Sequence, residues 1–290
     1  MSSRKVLITG ATGLLGSVLV PHFRASGAEV VTQGRSREVD FSVDLTDDLA
    51  VRTLLSEVKP QTIINLVGLT SVDACEEDLD LAYRVNTKTV ENIVAALSVI
   101  ESNAHLIQIS TDQIYDGMGA HLESQVTMRN HYAVTKYAAE LAAAQTRSTI
   151  LRTNFFGRGG LQKRQSLTDW IFSSLKSGQE IQVFDDVSFS PLSMRSLSEI
   201  LLLVARTEPL GVYNLGSRNG LSKADFAFKF AENAGLPMSA MSRAHSSQAK
   251  ALKAYRPKDM RMDCSKFERQ LGIQLPELAD EIKHVAREYA

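Results

Sequence analysis

Tyr132 and Lys136 form a pair of residues with a recognisable chemistry. They lie four residues apart in NHYAVTKYAAELAAA, so on a helix their side chains share one face. A lysine ammonium beside a phenol stabilises the phenolate, and we expect it to lower the tyrosine pKa from about 10 toward neutral pH. Tyr132 would then exchange a proton with a carbinol oxygen during hydride transfer. The alternative is that Tyr132 packs in the core and Lys136 pairs with Glu140.

A second polar group follows an apolar run in the stretch STDQIYDG, residues 110–117. Thr111, Asp112 and Gln113 come directly after a predicted strand at His105–Ser110. We expect Asp112 to position a substrate or the loop, whereas Asp116 belongs to turn chemistry. A glutamine amide does not exchange a proton at neutral pH, so Gln113 is not an acid or a base.

Three glycines in VLITGATGLLGSVLV, residues 6–20, predict a phosphate-binding turn. Gly10 permits a tight turn, Gly13 permits the backbone to approach a pyrophosphate, and Gly16 permits close packing of helix on strand. The phosphates would meet the free N–H groups and the positive dipole at the start of the helix. The placement after the first strand predicts dinucleotide binding, and the alternative is a glycine-rich turn without a ligand.

The end of the second predicted strand favours one of the two nicotinamide cofactors. An NAD enzyme places Asp or Glu there to hold the ribose 2′-hydroxyl. This sequence instead reads TQGRSRE, with no carboxylate before Arg35 and Arg37. Guanidinium groups suit a 2′-phosphate, so we expect NADPH, with NADH still possible. The alternative is that both arginines are solvated loop residues.

Short β-branched runs alternate with longer helical patterns through the first half of the chain. This alternation predicts an α/β fold, a Rossmann-type doubly wound parallel sheet whose carboxyl strand ends line a ligand crevice. Beyond about residue 155 the strands shorten and loops become frequent. We therefore predict a dinucleotide-binding domain at residues 1–154. A smaller mixed substrate-binding lobe at 155–290 is expected to send segments back to the first domain.

The composition indicates which partners, metals and cellular location to expect. The chain has 290 residues, a net charge of −1 and no basic patch, so neither nucleic acid nor an anionic membrane is an expected partner. Its two cysteines have no metal-site spacing, and no metal is expected. The N-terminus lacks a signal-peptide pattern, and the longest apolar run, ILLLVA, is too short to span a bilayer. We expect a cytoplasmic protein.

Taken together, the motifs resemble those of the extended short-chain dehydrogenase/reductases, and most closely the dTDP-4-dehydrorhamnose reductase family of sugar-nucleotide reductases. TSVDACE is similar to that family's TAVDxAE, STDQIYDG to STDYVFDG, and NHYAVTKYAAE to NxYGxTKxxGE. The tail RPKDMRMDCSKFERQLGI is similar to RPxxSxLDxSKLexLGI. The similarity covers nearly the whole chain, and the motifs follow the family's order.

The resemblance implies roles for particular residues. Thr111 would hydrogen-bond the ketone oxygen, Tyr132 would protonate it, and Lys136 would hold the nicotinamide ribose. The cofactor positions, which also include Tyr132 and Lys136, are Gly10, Thr12, Gly13, Leu14, Leu15, Gly16, Arg35, Asp44, Leu45, Leu66, Val67, Gly68 and Asn86. The substrate positions, which also include Thr111, are Val72, Asp73, Asp112, Phe155 and Arg195.

Some of these positions have simpler interpretations or depart from the family. Asp73 could instead cap the helix that follows it, and Phe155 could belong to the core. Ala133 replaces the glycine that usually follows the tyrosine, and the usual proline before the NxY motif is absent. The segment Ser193-Met194-Arg195 stands where the family has more nearly YVxD. This departure leaves the substrate open.

The motifs are shared by several reactions and by a partner protein. A nucleotide-sugar 4,6-dehydratase needs an acid and a base beside the threonine, and Gln113 lacks that chemistry. An epimerase usually has a small-residue run there and a longer chain. Net reduction of a 4-keto nucleotide sugar by NADPH is therefore the expected function, with a possible homodimer. The alternative is a cofactor-binding regulatory subunit that resembles the methionine adenosyltransferase beta subunit.

Overall fold

The computed structural model describes residues 4–36, 38–159, 165–249 and 251–289. The strands, in chain order, are β1 (Lys5–Thr9), β2 (Glu29–Gly34), β3 (Phe41–Ser42), β4 (Thr62–Asn65), β5 (His105–Thr111), β6 (Ser148–Thr153), β7 (Phe155–Phe156), β8 (Ile181–Phe184), β9 (Ser188–Phe189), β10 (Leu192–Ser193), β11 (Gly211–Leu215), β12 (Leu221–Ser222) and β13 (Met241–Ala244).

The helices alternate with the strands in the first half and dominate the second. In chain order they are α1 (Leu14–Ala25), α2 (Asp48–Val58), α3 (Val72–Glu77), α4 (Leu79–Tyr83), α5 (Thr89–Val99), α6 (His131–Ala143), α7 (Leu167–Lys176), α8 (Met194–Thr207), α9 (Lys223–Asn233), α10 (Ser265–Leu271) and α11 (Leu278–Ala286). No helix among these described stretches is long and apolar enough to cross a bilayer.

A seven-stranded parallel sheet forms the centre of the molecule, in the order β11–β6–β5–β4–β1–β2–β3. The strands β4, β5 and β6 are buried along their whole length, as expected for a sheet covered by helices on both faces. The chain order reverses between β1 and β4, and such a switch point forms a ligand crevice. The predicted doubly wound fold is confirmed.

The strand register brings the functional segments to one edge of the sheet. Thr9 of β1 pairs with Asn65 of β4, and Thr111 of β5 pairs with Thr153 of β6. These four residues are all at carboxyl strand ends. The glycine turn, the loop after β4, the STDQ stretch and the segment after β6 therefore all begin at this edge.

The second half of the chain contributes to two cores. β11 pairs with β6, and α8 packs against α1, so both elements belong to the central sheet and its covering layer. A separate cluster joins α7, β8, α9 and α11, with buried aromatic side chains at its centre. Among these, Phe226 meets Phe156 edge to face at 4.8 Å between ring centroids. The domain division at residue 154 stays a prediction.

The loop after β4 carries more helix than the sequence patterns indicated. The helix α5 is preceded by α3, α4 and a π-helical turn at Arg84–Lys88. Both α3 and α4 are too short to show periodicity, and each depends on a cap. The side chains of Ser71 and Asp78 accept hydrogen bonds from the first-turn backbone N–H groups.

Candidate active site

Consecutive residues at the end of β5 are tied to α6. The backbone oxygen of Ile109 accepts a 2.6 Å hydrogen bond from Lys136 Nζ. The next residue, Ser110, donates its hydroxyl to the Glu140 carboxylate. The Thr111 hydroxyl accepts from the Gln113 backbone N–H at 3.1 Å, and it lies close enough to the Tyr132 phenol to lower the pKa of that group. The predicted Thr111, Tyr132 and Lys136 are thus brought together, because one face of α6 packs along the end of β5.

The N-terminus of α6 is fixed by Asn130. Its Oδ1 atom accepts a 2.8 Å hydrogen bond from the Ala133 backbone N–H, which caps the helix. Its Nδ2 atom donates to the Tyr255 backbone oxygen at 3.1 Å and to Gln113 Oε1 at 3.4 Å. The helix that carries Tyr132 is therefore anchored both to the STDQ stretch and to the C-terminal tail.

The pKa of Tyr132 departs from the expectation set by the sequence. Burial raises it far above 10, and the Asp112 charge raises it further, against a lowering effect of the Thr111 hydrogen bond. The expected lowering by Lys136 is wrong for this arrangement, because the ammonium donates to the Ile109 oxygen. Tyr132 is therefore a neutral phenol at physiological pH, which is the protonation state of a proton donor.

The alternative pairing of Lys136 with Glu140 is not what the structure shows. Glu140 accepts two hydrogen bonds from Arg152 Nε, at 3.0 and 3.1 Å, and one from Nη2 at 2.6 Å. Both side chains are 3% exposed. Burial lowers the pKa of Lys136 to about 8, while the Glu140 charge works in the opposite direction. Lys136 is thus charged at neutral pH, but it loses its proton at a lower pH than an exposed lysine does.

Asp112 is a buried carboxylate at the same strand end. It is 1% exposed, and its Oδ2 accepts a 2.8 Å hydrogen bond from Asn154 Nδ2. Its Oδ1 lies 3.4 Å from the Thr111 hydroxyl. Burial raises the pKa of Asp112 to about 6, against the lowering effects of Asn154 and Lys223. Since the adjacent Gln113 has no titratable group, Asp112 is the acidic member of this stretch.

The glycine turn has the geometry that its sequence predicts. Gly10 has φ of +66°, a left-handed conformation. A Cβ atom on Gly16 would lie 2.3 Å from the Ala11 backbone oxygen, so helix and turn pack too closely for any side chain. Gln33 holds this turn from β2, because its Oε1 accepts from the Gly10 N–H at 3.2 Å and its backbone oxygen from the Ala11 N–H at 3.0 Å.

The start of α1 fits a bound pyrophosphate. Gly13 is its N-cap, and no side chain accepts a hydrogen bond from the first-turn N–H groups. Those of Leu14, Leu15 and Gly16 are consequently free to bind an anion at the positive end of the helix dipole. Thr12 lies on the other side of the turn, with its hydroxyl close to Gly34 at the end of β2.

The remaining cofactor positions line both sides of this turn. Leu66 and Val67 approach Gly10, where a Cβ atom would lie 3.1 Å from their backbone atoms. A Cβ atom on Gly68 would lie 3.4 Å from Asn86 Oδ1 and 4.0 Å from Lys136 Nζ. The structure therefore connects the glycine turn to Lys136 through the loop after β4.

The residues predicted for the adenosine side of the cofactor include a charged pair. The Arg35 guanidinium lies close enough to Asp44 to contribute to the lowered pKa of that carboxyl, although hydrogen bonding to Thr46 is the main cause. Leu45 is buried beside it. Arg37 lies outside the described residues. Arg35 is thus an exposed cation that directly follows β2 at the carboxyl edge of the sheet.

The four proposed substrate residues other than Thr111 and Asp112 lie in different surroundings. Val72 packs beside Tyr132 in a small cluster. Asp73 accepts from the N–H groups of residues 253 and 254 and from Arg256 Nη2 at 2.7 Å. Phe155 is half-buried and packs on the main core. Arg195 is not brought to the site, because its side chain is 79% exposed and pairs with Glu199.

Three side chains at the site were not predicted from the sequence. Asn154 follows β6 at the same edge as Thr111, and its position after a strand was a usable signal. Gln33 is buried in β2 and supports the glycine turn. Lys223 comes from the start of α9, far along the chain, and its charge lowers the pKa of Asp112; no sequence pattern linked it to the site. Among the described residues, no group of three or more His, Cys, Asp or Glu is placed to hold a metal ion.

The parallel sheet, the uncapped glycine turn and the Thr111–Tyr132–Lys136 group define a Rossmann-fold oxidoreductase. Residues 4–290 match the RmlD substrate binding domain family. The chain belongs to this family, that of the dTDP-4-dehydrorhamnose reductases. One such reductase, from Streptomyces griseus, is 30% identical over 74% of this chain and 71% of its own.

Other relatives span nearly the whole chain. A probable low-salt glycan biosynthesis reductase of Haloferax volcanii is 28% identical over 95% of each chain. Methionine adenosyltransferase 2 subunit beta of Rattus norvegicus is also 28% identical, over 93% of this chain and 83% of its own. The crystal structure of dTDP-4-dehydrorhamnose reductase from Bacillus anthracis in complex with NADP superimposes with a TM-score of 0.89, at 24% identity over 99% of each chain, which shows the shared fold.

Proposed function

We propose that this protein reduces the 4-keto group of a nucleotide-activated 6-deoxy sugar with NADPH, as a dTDP-4-dehydrorhamnose reductase forming dTDP-L-rhamnose or a related sugar. The observation that carries the proposal is the convergence of Thr111, Tyr132 and Lys136 beside the glycine turn. The names of the relatives support the substrate class.

NADPH is the proposed cofactor, and NADH remains an alternative. The free N–H groups at the start of α1 would hold the pyrophosphate, and Arg35 would bind the 2′-phosphate. Asp44 and Leu45 would line the adenine, while Asn86 and Lys136 lie toward the nicotinamide ribose. The NADP in the Bacillus anthracis structure supports this choice.

The proposed reaction uses a neutral phenol. NADPH supplies the hydride that reduces the carbonyl carbon. Tyr132 donates its phenolic proton to the carbonyl oxygen, since burial keeps that proton bound until the oxygen becomes basic. Thr111 donates a hydrogen bond to the same oxygen and orients it. Lys136 would hold the nicotinamide ribose, while the lowering effect of Thr111 favours the phenolate that Tyr132 becomes.

Gln113 favours reduction over elimination. Its side chain is 9% exposed and faces Asn130, the cap of α6. A carboxylate at this position could accept a proton during loss of water, whereas an amide cannot. This absence of a second acid–base group beside Asp112 supports a reductase over a 4,6-dehydratase, and an epimerase stays a further alternative.

The test is a direct assay of turnover. Purified protein is mixed with NADPH and dTDP-4-dehydro-6-deoxy-L-mannose. NADPH oxidation is measured as the decrease in NADPH absorbance, and the product sugar is identified by NMR. We expect stoichiometric conversion to a 4-hydroxy sugar. Binding of NADPH without oxidation by any 4-keto nucleotide sugar would contradict the proposal.

A regulatory subunit is the second candidate, and the likeness to methionine adenosyltransferase 2 subunit beta favours it. Such a protein needs the cofactor fold without turnover. Co-purification with a catalytic adenosyltransferase subunit, together with no NADPH oxidation, would select this alternative. The cytoplasmic location and the homodimer stay predictions.

A further inference from the structure

A row of buried polar side chains crosses the central sheet near its carboxyl edge. Asn65 of β4 is the register partner of Thr9 on β1 and of Gln108 on β5. Each of the three residues is 1% exposed or less. A polar group buried in this way is costly unless it is hydrogen-bonded. The partners of these side chains therefore show what the row holds together.

The three side chains form a continuous chain of hydrogen bonds that ends at Lys136. Thr9 Oγ1 donates to Asn65 Oδ1 at 2.6 Å, and Asn65 Nδ2 donates to Gln108 Oε1 at 2.7 Å. Gln108 Nε2 then donates to the backbone oxygen of Ile109 at 3.0 Å. The same oxygen accepts the 2.6 Å hydrogen bond from Lys136 Nζ. The row therefore fixes the atom that holds the lysine.

The other end of the row lies at the glycine turn. Thr9 is the last residue of β1 and directly precedes Gly10. Asn65 Oδ1 also accepts from the backbone N–H of Val67 at 3.2 Å. That nitrogen would lie 3.1 Å from a Cβ atom on Gly10, so the loop after β4 lies against the turn. Asn65 is thus bonded to both segments that meet at the cofactor turn.

We propose that Asn65 is a positioning residue that fixes Lys136 relative to the bound cofactor. Its neighbours in the row carry this effect, Thr9 toward the glycine turn and Gln108 toward the lysine. This inference rests on the proposed function. An ammonium has three N–H donors, so the bond to the Ile109 oxygen leaves donors for the nicotinamide ribose. Because a displacement of about 1 Å costs about 10²-fold in rate, this separation must be held closely.

The two ends of the row should give different kinetic effects. Thr9→Val removes the donor on the cofactor side, and we expect NADPH affinity to fall about tenfold with little change in kcat at saturating NADPH. Gln108→Met removes the amide on the lysine side, and we expect kcat to fall about tenfold or more with NADPH affinity nearly unchanged. Asn65→Leu, which is close in shape, should lower both. Thr9→Ser keeps the hydroxyl and should keep the affinity.

A buried hydrogen bond at the opposite edge of the sheet provides the matched control. His105 Nε2 and Thr149 Oγ1 lie 2.7 Å apart and join β5 to β6 near their amino ends, and both residues are fully buried. Thr149→Val should lower the melting temperature without changing NADPH affinity or kcat. Affinity is measured by fluorescence titration with NADPH, and kcat by steady-state kinetics with the 4-keto-6-deoxy sugar nucleotide. The melting temperature is measured by circular dichroism.

The outcomes separate this inference from the proposed function. If the variants of the row lower only the melting temperature, as Thr149→Val does, Asn65 supports the fold alone and the reductase stands. Equal effects of Thr9→Val and Gln108→Met on affinity and kcat would also overturn the inference. Should Asn65→Leu not fold, these two variants decide. If wild type oxidises no NADPH with any 4-keto nucleotide sugar, the proposed function fails, and unchanged NADPH affinity in Thr9→Val would then overturn the positioning role as well.

Discussion

The two halves of the carboxyl edge of the sheet present different chemical groups: backbone groups around β1 and β2, and side chains around β5 and β6. Around β1 and β2, the site is backbone: a glycine turn, an uncapped helix start and the support of Gln33. Around β5 and β6, it consists of buried titratable side chains, including Asp112, Tyr132, Lys136 and the Glu140–Arg152 pair.

This difference follows from what each half must do. Binding a pyrophosphate needs N–H groups and close approach, which depend on the absence of side chains. Moving a proton needs groups whose pKa is set by burial and neighbouring charge. The backbone half should therefore be sensitive to added volume, and the side-chain half to the loss of single polar atoms.

Tyr132→Phe is the sharpest test of the side-chain half. Removing the phenolic oxygen should lower kcat by about 10² to 10⁴, because the proton donor is lost. NADPH affinity, measured by fluorescence titration, should remain nearly unchanged. A large loss of NADPH binding in this variant would contradict the role of Tyr132 as a proton donor. It would also mean that cofactor binding is not confined to the backbone half.

Glu140→Gln tests the buried ion pair that supports α6. Arg152 would be left as a buried charge without a counter-charge, and we expect a loss of about 3–5 kcal/mol in the free energy of unfolding. Urea denaturation measures it. Glu199→Gln, which breaks the exposed pair with Arg195, is the matched control and should change stability little. Equal effects would mean that the buried pair is not a stabilising support.

Gly16→Ala tests the backbone half. The added methyl would meet the Ala11 backbone oxygen at 2.3 Å, so the turn must shift, at a cost of about 1–3 kcal/mol. We expect NADPH affinity to fall about tenfold or more. Gly27→Asn is the control, since Gly27 has open space around it and φ of +84°, which asparagine tolerates. Unchanged NADPH affinity in Gly16→Ala would overturn the turn's assignment.

The pH dependence of turnover separates Lys136 from Tyr132. Lys136, with a pKa of about 8, is charged below that pH and neutral above it, whereas Tyr132 stays protonated throughout. The profile of kcat/KM should therefore fall above pH 8, approaching tenfold per pH unit. Lys136→Arg, which keeps its charge, should lack this fall. A flat wild-type profile to pH 9.5 would show that the charge of Lys136 is not required.

Local sequence patterns were sufficient to predict the parallel sheet with its helices and the glycine turn. Strand and helix types in the first half agree with the prediction because buried β-branched runs and helical periodicity are encoded within one segment. The short helices α3 and α4 were missed, since each depends on a cap and on packing against α6. Arg195 was predicted from the family resemblance alone, and α8 places its side chain at the surface.

The sequence alone determined the fold class, the dinucleotide turn and the identity of Tyr132 and Lys136, because their spacing is a property of a single helix or turn. Only the tertiary structure decided the protonation of Tyr132. Burial raises its pKa, and the nearby Lys136 ammonium donates to the Ile109 oxygen instead of lowering that pKa. The tertiary structure also decided that Arg256 pairs with Asp73, 183 residues away in the chain. Charges brought together by long-range packing leave no local signature in a sequence.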